Sequence, residues 1–247
     1  MNPKDALMRR LIAKAKERVA EVFTGRDYHA IKAVNLLEDL DNAFNLFAEQ
    51  AREWFGVHFP ELNRLVQDNE AFLKLIALGE RKDFTEKSIL KYYENKEKAR
   101  EIEAKAKNSM GAELGKEDLK QIQLLAVNAL ELKKGREEIA KYIEGLMKEL
   151  SPNFSELATP LIAAKLLSKA GSLKRLALMP SSTIQLLGAE KALFRHLKEN
   201  AKPPKYGLIF AHPSVREARK ELKGRTARKL SGKLSIAVKK DFFSKKA

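Results

Sequence analysis

The densest grouping of residues able to engage a phosphate or a base lies between Met179 and Lys198. Ser181, Ser182 and Thr183 form a hydroxyl-rich, cap-forming run. Gly188 stands where a helix would begin, and that helix carries Lys191, Arg195 and His196. At such a start the N–H groups of Ala189, Glu190 and Lys191 lack intrahelical partners, and a helix N-terminus with cations nearby suits a phosphate oxygen. The plainer reading is that Gly188 only ends one helix and starts the next.

Chemistry of other kinds finds little support. There are no cysteines, which removes disulfides and thiolate metal sites. His29, His58, His196 and His212 are scattered, none at an i, i+4 ligand spacing, and no G-x-S-x-G or H-E-x-x-H run occurs. His58 reads as a packed aromatic rather than a catalyst. Glu38, Asp39 and Asp41 are close in sequence, but they do not share one helix face and read as an acidic solvated surface, not a magnesium site. Gly111–Ala112–Glu113–Leu114–Gly115–Lys116 looks superficially like a phosphate-binding loop. Only three residues separate its glycines, no Ser or Thr follows the lysine and no apolar strand precedes it, so it reads as a turn between helices. No catalytic residue, metal or cofactor is expected.

Charge narrows the partner. The net +15 is confined to one end: Met1–Leu150 holds 27 Lys and Arg against 27 Asp and Glu, whereas Ser151–Ala247 holds 21 against 6. A compact region so charged repels itself and calls for a polyanion, with nucleic acid foremost. A membrane surface fits less well, because the cations spread over several short helices. No apolar run approaches the length of a membrane span, and Met1–Arg10 is too polar for a secretory signal. A soluble, intracellular chain is expected.

The elements that must hold the grouping are helical. With 33% charged and 44% apolar residues and almost no alternating pattern, the fold class is all-α. Residues 1–150 read as a helical region with coiled-coil arms, and 151–247 as a compact second domain. A first helix, Asp5–Phe23, places Leu7, Leu11, Ile12, Ala15, Val19 and Val22 on one face. Gly25 stops it, and Asp27 opens a long helix to about Phe55, broken before Pro60. Asp83–Phe84–Thr85–Glu86 has capping-box spacing and predicts a helix to about Met110, folding back across a turn near 111–115. The next arm is the most regular: Ile122, Leu125, Ala129, Leu132, Arg136, Ile139, Ile143, Leu146 and Leu150 step 3-4 throughout, with Arg136 the one polar member. Dimerisation through this coiled coil is one reading and an internal hairpin the other. Beyond Ser151, Asn153 and Glu156 have capping-box spacing, and a helix Leu157–Ala170 ends at Gly171. Short helices Ser172–Leu178 and Ala189–Asn200 follow, with a turn at 181–183 between them. Residues 203–213 read as extended, and Gly224–Phe243 as a closing basic helix.

Pro180–Ser181–Ser182–Thr183–Ile184–Gln185 followed by Leu187–Gly188–Ala189–Glu190–Lys191–Ala192–Leu193–Phe194–Arg195–His196 closely resembles the Nop domain. So do Pro203–Pro204–Lys205–Tyr206–Gly207, His212–Pro213 and Gly232–Lys233–Leu234, while Trp54–Leu62 resembles that family's central helical region. The likeness is to the archaeal Nop-family core protein of box C/D guide ribonucleoproteins, homologous to the nucleolar Nop proteins. It implies a scaffold, not an enzyme, for RNA-guided 2'-O-methylation. The Nop domain would dock on a box C/D guide RNA kink-turn already bound by a small ribosomal-protein-like partner, and the coiled coil would pair two copies. RNA contacts carried over by the resemblance are Ser182, Thr183, Gln185, Gly188, Ala189, Glu190, Lys191, Arg195, His196, Lys202, Lys205 and His212. Leu187, Phe194 and Tyr206 would meet the partner protein, and Ile122, Leu125, Leu132, Ile139, Ile143 and Leu146 the second copy. The family normally begins with a further domain that holds fibrillarin. Nothing in this sequence corresponds to it, so fibrillarin would be reached only through a domain absent here. Location would be cytoplasmic in an archaeon and nucleolar in a eukaryote. The alternatives are a spliceosomal-type Nop-domain binder and a helical nucleic-acid-modifying enzyme.

Overall fold

In the computed structural model the backbone of residues 3–244 is described, with the side chains of 7–17 and 25–244. Every regular element is a helix, and among the described residues there is no strand. Packing divides the chain into two compact units: residues up to Leu36 together with those from Ile139 onward, and Leu37–Glu138. The boundary drawn from charge at Ser151 follows composition; these units follow contact.

Helix α1 (Pro3–Thr24) is set off by Gly25 from α2 (Arg26–Gly56). The expected apolar face of α1 is open, for Leu7, Leu11 and Ile12 are all exposed; Val19 and Val22 lie outside the described side chains. Pro60 occupies the first turn of α3 (Pro60–Leu65), and Asp68 caps α4 (Asn69–Ile76) by accepting the Ala71 N–H at 2.8 Å. The single helix expected from Asp83 to Met110 is replaced by two, α5 (Glu86–Ile89) and α6 (Lys96–Lys107). Competing caps explain the break. Asp83 is taken by the preceding turn, accepting the Glu80 N–H at 2.8 Å, Thr85 and Ser88 cap α5, and Asn95 opens α6 by accepting the Lys98 N–H at 3.0 Å.

Helix α7 (Lys116–Leu150) runs unbroken for 35 residues. Within the Leu37–Glu138 unit its antiparallel partner is α2, with α3–α6 inserted between them in sequence. Asp41 meets Arg136, the Lys133 ammonium lies 5.3 Å from the Phe44 ring centre, and Ala48, Ala51 and Phe55 share a core with Leu119, Ile122, Ala126 and Ala129. Phe55, Phe59, Phe72 and Phe84 fill that core, each fully buried and worth about 1.5–3 kcal/mol of apolar burial. His58 belongs to it as well: its ring packs edge-on to Phe55 at 5.5 Å, and Nδ1 lies 3.0 Å from the Ala112 carbonyl.

The other unit is built around α14 (Lys223–Ser244). Against it pack α8 (Pro152–Ala158), α10 (Leu173–Leu178), α11 (Ser181–Leu186) and α13 (Pro213–Arg216); α9 (Pro160–Ala170) packs on α8 and α10, and α12 (Glu190–Glu199) follows α11. The helix expected over 157–170 is broken at Thr159, whose φ of +69° precedes Pro160. The capping box expected at Asn153 is not made either. Asn153 donates its side-chain amide to Asp241 at 2.6 Å, and the buried Asp241 carboxylate also accepts the Phe154 N–H at 2.8 Å, so α14 caps the start of α8. Ser181–Thr183, expected as a turn, is the first turn of α11, with Pro180 at its N-cap.

Candidate nucleic-acid interface

The α11–α12 joint is fixed by a second segment laid against it. Gly207 donates its N–H to the Gln185 carbonyl at 2.8 Å and Leu208 to the Leu187 carbonyl at 2.8 Å, while Gln185 Nε2 donates to the Lys205 carbonyl at 2.7 Å. Two glycines permit this closeness. Gly188 turns at φ +91°, a region costing other residues about 1–2 kcal/mol, and a Cβ there would lie 2.5 Å from Leu208 Cγ. A Cβ on Gly207 would lie 2.1 Å from the Leu187 carbonyl oxygen.

The start of α12 differs from expectation in its electrostatics. The Ala189 N–H donates to the Leu186 carbonyl at 2.8 Å, and the Glu190 carboxylate accepts the Gly188 N–H at 2.7 Å. A phosphate approaching this end therefore meets a carboxylate, and attraction has to come from the cations further along the helix. Those cations are available. Helix α12 has no buried residue, and Lys191, Arg195 and Lys198 are exposed beside Phe194 (62% exposed) and Leu197 (71%). Among the described residues no carboxylate pairs with Lys191, Arg195, Lys202 or Lys205.

Two open concavities border the helix and share Glu190. One, of about 540 Å³, includes Lys191, Phe194, Arg195 and Lys198. The other, of about 250 Å³, brings together Ser182, Thr183, Leu186, Leu187 and Leu193. Leu187 is itself buried, so it serves as floor more than as free surface. The side chains expected to read bases are partly committed to the fold. His196 Nδ1 lies 2.6 Å from the Ala201 carbonyl, and His212 Nδ1 is 2.7 Å from the Ser214 hydroxyl at the cap of α13. Gln185 Nε2 also spends one of its two hydrogens on the Lys205 carbonyl, so each of the three has only part of its polar capacity to offer. Sequence reasoning missed Phe210, whose ring lies parallel to Tyr206 with centres 4.8 Å apart and planes 12° from coincidence, and Lys223, whose ammonium is 4.9 Å from the Phe210 centre.

On α7, Ile122, Ile143 and Leu146 are buried by the chain's own packing, whereas Leu132 and Ile139 are half-buried. Leu125 lines an open groove of about 690 Å³ with Leu46, Phe47 and Trp54, of which Leu46 and Trp54 are 55% and 42% exposed. Among the described residues no group of acids and histidines could hold a metal ion, and no helix is long and apolar enough to cross a membrane.

Comparison with known proteins adds a family. Residues 36–247 match the family model described as "Nop: snoRNA binding domain, fibrillarin". The chain is 43% identical over 218 residues to a NOP5 family protein of Methanocaldococcus jannaschii, covering 88% of this chain and 52% of that protein. It is 40% identical over 221 residues to nucleolar protein 58 of Schizosaccharomyces pombe, covering 89% of this chain and 43% of the relative. It thus spans about half the length of the curated relatives it matches. A solved crystal structure of a fibrillarin/Nop5p complex aligns over 97% of this chain and 70% of that one, with 24% identity and a TM-score of 0.49. With a family model covering most of its length, this all-α chain belongs to the Nop family.

Proposed function

We propose that this chain is an RNA-binding scaffold of a box C/D guide ribonucleoprotein, one that binds and presents RNA for 2'-O-methylation and carries no catalytic group of its own. Residues 151–247 bind a kink-turn RNA together with a small ribosomal-protein-like partner. Fibrillarin, named in the family description, is a partner within the assembled particle. The reading places the protein in the nucleolus of a eukaryote or the cytoplasm of an archaeon.

The observation that carries the reading is the surface of α12. A ten-residue helix with nothing buried, showing cations and a phenylalanine side by side, makes sense as a docking element for phosphates and an apolar protein surface at once. Lys191 and Arg195 supply the phosphate contacts, Phe194 the protein contact, and Lys202 and Lys205 salt-dependent attraction. Titration of the chain onto kink-turn RNA, with and without the small partner, tests it. Tight joining is expected only when both are present; equal binding to bare RNA would remove the composite-surface reading.

Pairing of two copies is the second part of the proposal. Because Ile122, Ile143 and Leu146 are already covered, the face offered to a second copy is the groove of Leu46, Trp54 and Leu125. Light scattering at high concentration should report a dimer that Trp54→Ala and Leu46→Glu together weaken.

A further inference from the structure

We propose that the Tyr206–Phe210 stack seats one unpaired RNA nucleobase, with Tyr206 as the ring it lies on. This rests on the reading of the chain as RNA-binding and assigns one subsite within it.

The two rings are not core. Tyr206 is half-buried and Phe210 39% exposed, yet they hold a parallel arrangement at 4.8 Å. Lys223 steadies one of the rings: its ammonium sits 4.9 Å from the Phe210 centre and donates to the Arg216 carbonyl at 2.8 Å. Phe210 thus has a cation against it, and Tyr206 is the ring left for a ligand. The backbone of Tyr206 is held on both sides by one residue, since Gln185 takes the Gly207 N–H with its carbonyl and donates its amide to the Lys205 carbonyl. A ring fixed in this way loses little further freedom when something stacks on it.

The surroundings select a nucleotide. Exposed Lys202 and Lys205 precede the ring in sequence and pair with no carboxylate among the described residues, so a ligand offering a π face and a phosphate is matched at both. The base must be unpaired, because in an A-form helix its faces are already covered by its neighbours.

Photo-crosslinking tests this with the whole chain and an oligouridine hexamer carrying one central 4-thiouridine. The crosslink should map to the peptide containing Tyr206. Tyr206→Leu should weaken hexamer binding about tenfold, while Tyr206→Phe keeps it. The slope of log affinity against log salt should be the same for Tyr206→Leu as for the wild type, because no phosphate contact is lost; Lys205→Ala should flatten it. Crosslinks confined to other peptides, or full binding by Tyr206→Leu, would overturn the seat and leave the RNA-binding reading standing. A loss confined to joining of the small protein partner would make Tyr206 a protein contact and overturn it as well. A wild-type chain that binds neither the hexamer nor kink-turn RNA carrying the small partner would bring down the wider reading with it.

Discussion

Arg136 on α7 and Asp41 on α2 form a two-pronged ion pair, Nε to Oδ1 at 2.7 Å and Nη2 to Oδ2 at 3.4 Å. Arg136 is the one polar member of an otherwise apolar 3-4 stripe, so the pair fixes how the two helices align at the point where apolar side chains alone would permit sliding. Both side chains are partly solvated, at 30% and 46% exposure, which caps the gain near about 1 kcal/mol. Asp41→Ala should therefore lower unfolding stability in urea by about 0.5–1 kcal/mol. Arg136→Leu should change stability less, since the inward stripe becomes continuous.

Reversing charge on α12 should separate binding from folding. Lys191→Glu or Arg195→Glu removes a cation with no carboxylate partner from a helix that buries nothing, so the circular dichroism and melting curve should not change. Joining of the RNA–partner complex should be lost in a gel shift at matched salt. Normal assembly by both variants would exclude these two side chains from the interface.

A methyl group at Gly207 should be far more damaging than its size suggests. The new Cβ would stand 2.1 Å from the Leu187 carbonyl oxygen, whereas one at Gly224 meets nothing closer than 3.7 Å. Gly207→Ala should break the hydrogen bonds to Gln185 and Leu187 and cost about 2 kcal/mol or more, seen as a lower melting temperature together with weaker RNA binding. Gly224→Ala should leave both unchanged.

Asp241 is a buried carboxylate that accepts from Asn153 and Phe154. Asp241→Ala leaves those donors unsatisfied beneath α14 and should destabilise by about 2–3 kcal/mol in chemical denaturation. Lys239→Ala, at an exposed position two residues away, should be close to neutral.

Glu61 gives the insertion between α2 and α7 an acid sensitivity. Burial pushes its pKa up, but the Met110 N–H at 3.0 Å and the Ser109 hydroxyl at 2.7 Å outweigh burial and hold it below the ordinary carboxylate value. A depressed pKa contributes stability above the unfolded-state value and loses it as pH falls through the folded one. Amide exchange at Met110 and Gly111 should therefore rise on acidification below about pH 4.5 and be fast already at neutral pH in Glu61→Ala.

The long helices were legible because their signals are local: Gly25 as a stop, Pro60 as a start, and the inward stripe of α7. What stayed hidden depends on choices between local signals or on distant partners. Asp83, Thr85 and Asn95 all have cap chemistry, and sequence spacing does not say that each would take a different turn, splitting α5 from α6. The break at Thr159 did leave a trace, since Pro160 restricts the residue before it. Partners 95 and 88 residues apart, Arg136 with Asp41 and Asp241 with Asn153, leave none. At the candidate interface the cations and Gly188 were readable. The prior engagement of Gln185, His196 and His212 with their own backbone or a neighbour was not, because it depends on where the chain returns.

Helix α12 is tied at its two ends, by the Gly188 joint and by His196 to Ala201, and has no fully buried residue between them. Its outward residues are consequently free to drift under selection by whatever they touch. Exchanging Lys191, Phe194, Arg195 and Lys198 for the residues at the corresponding positions of a relative should transplant that relative's preference while leaving the thermal midpoint where it was, making these exposed positions the natural place to retune binding.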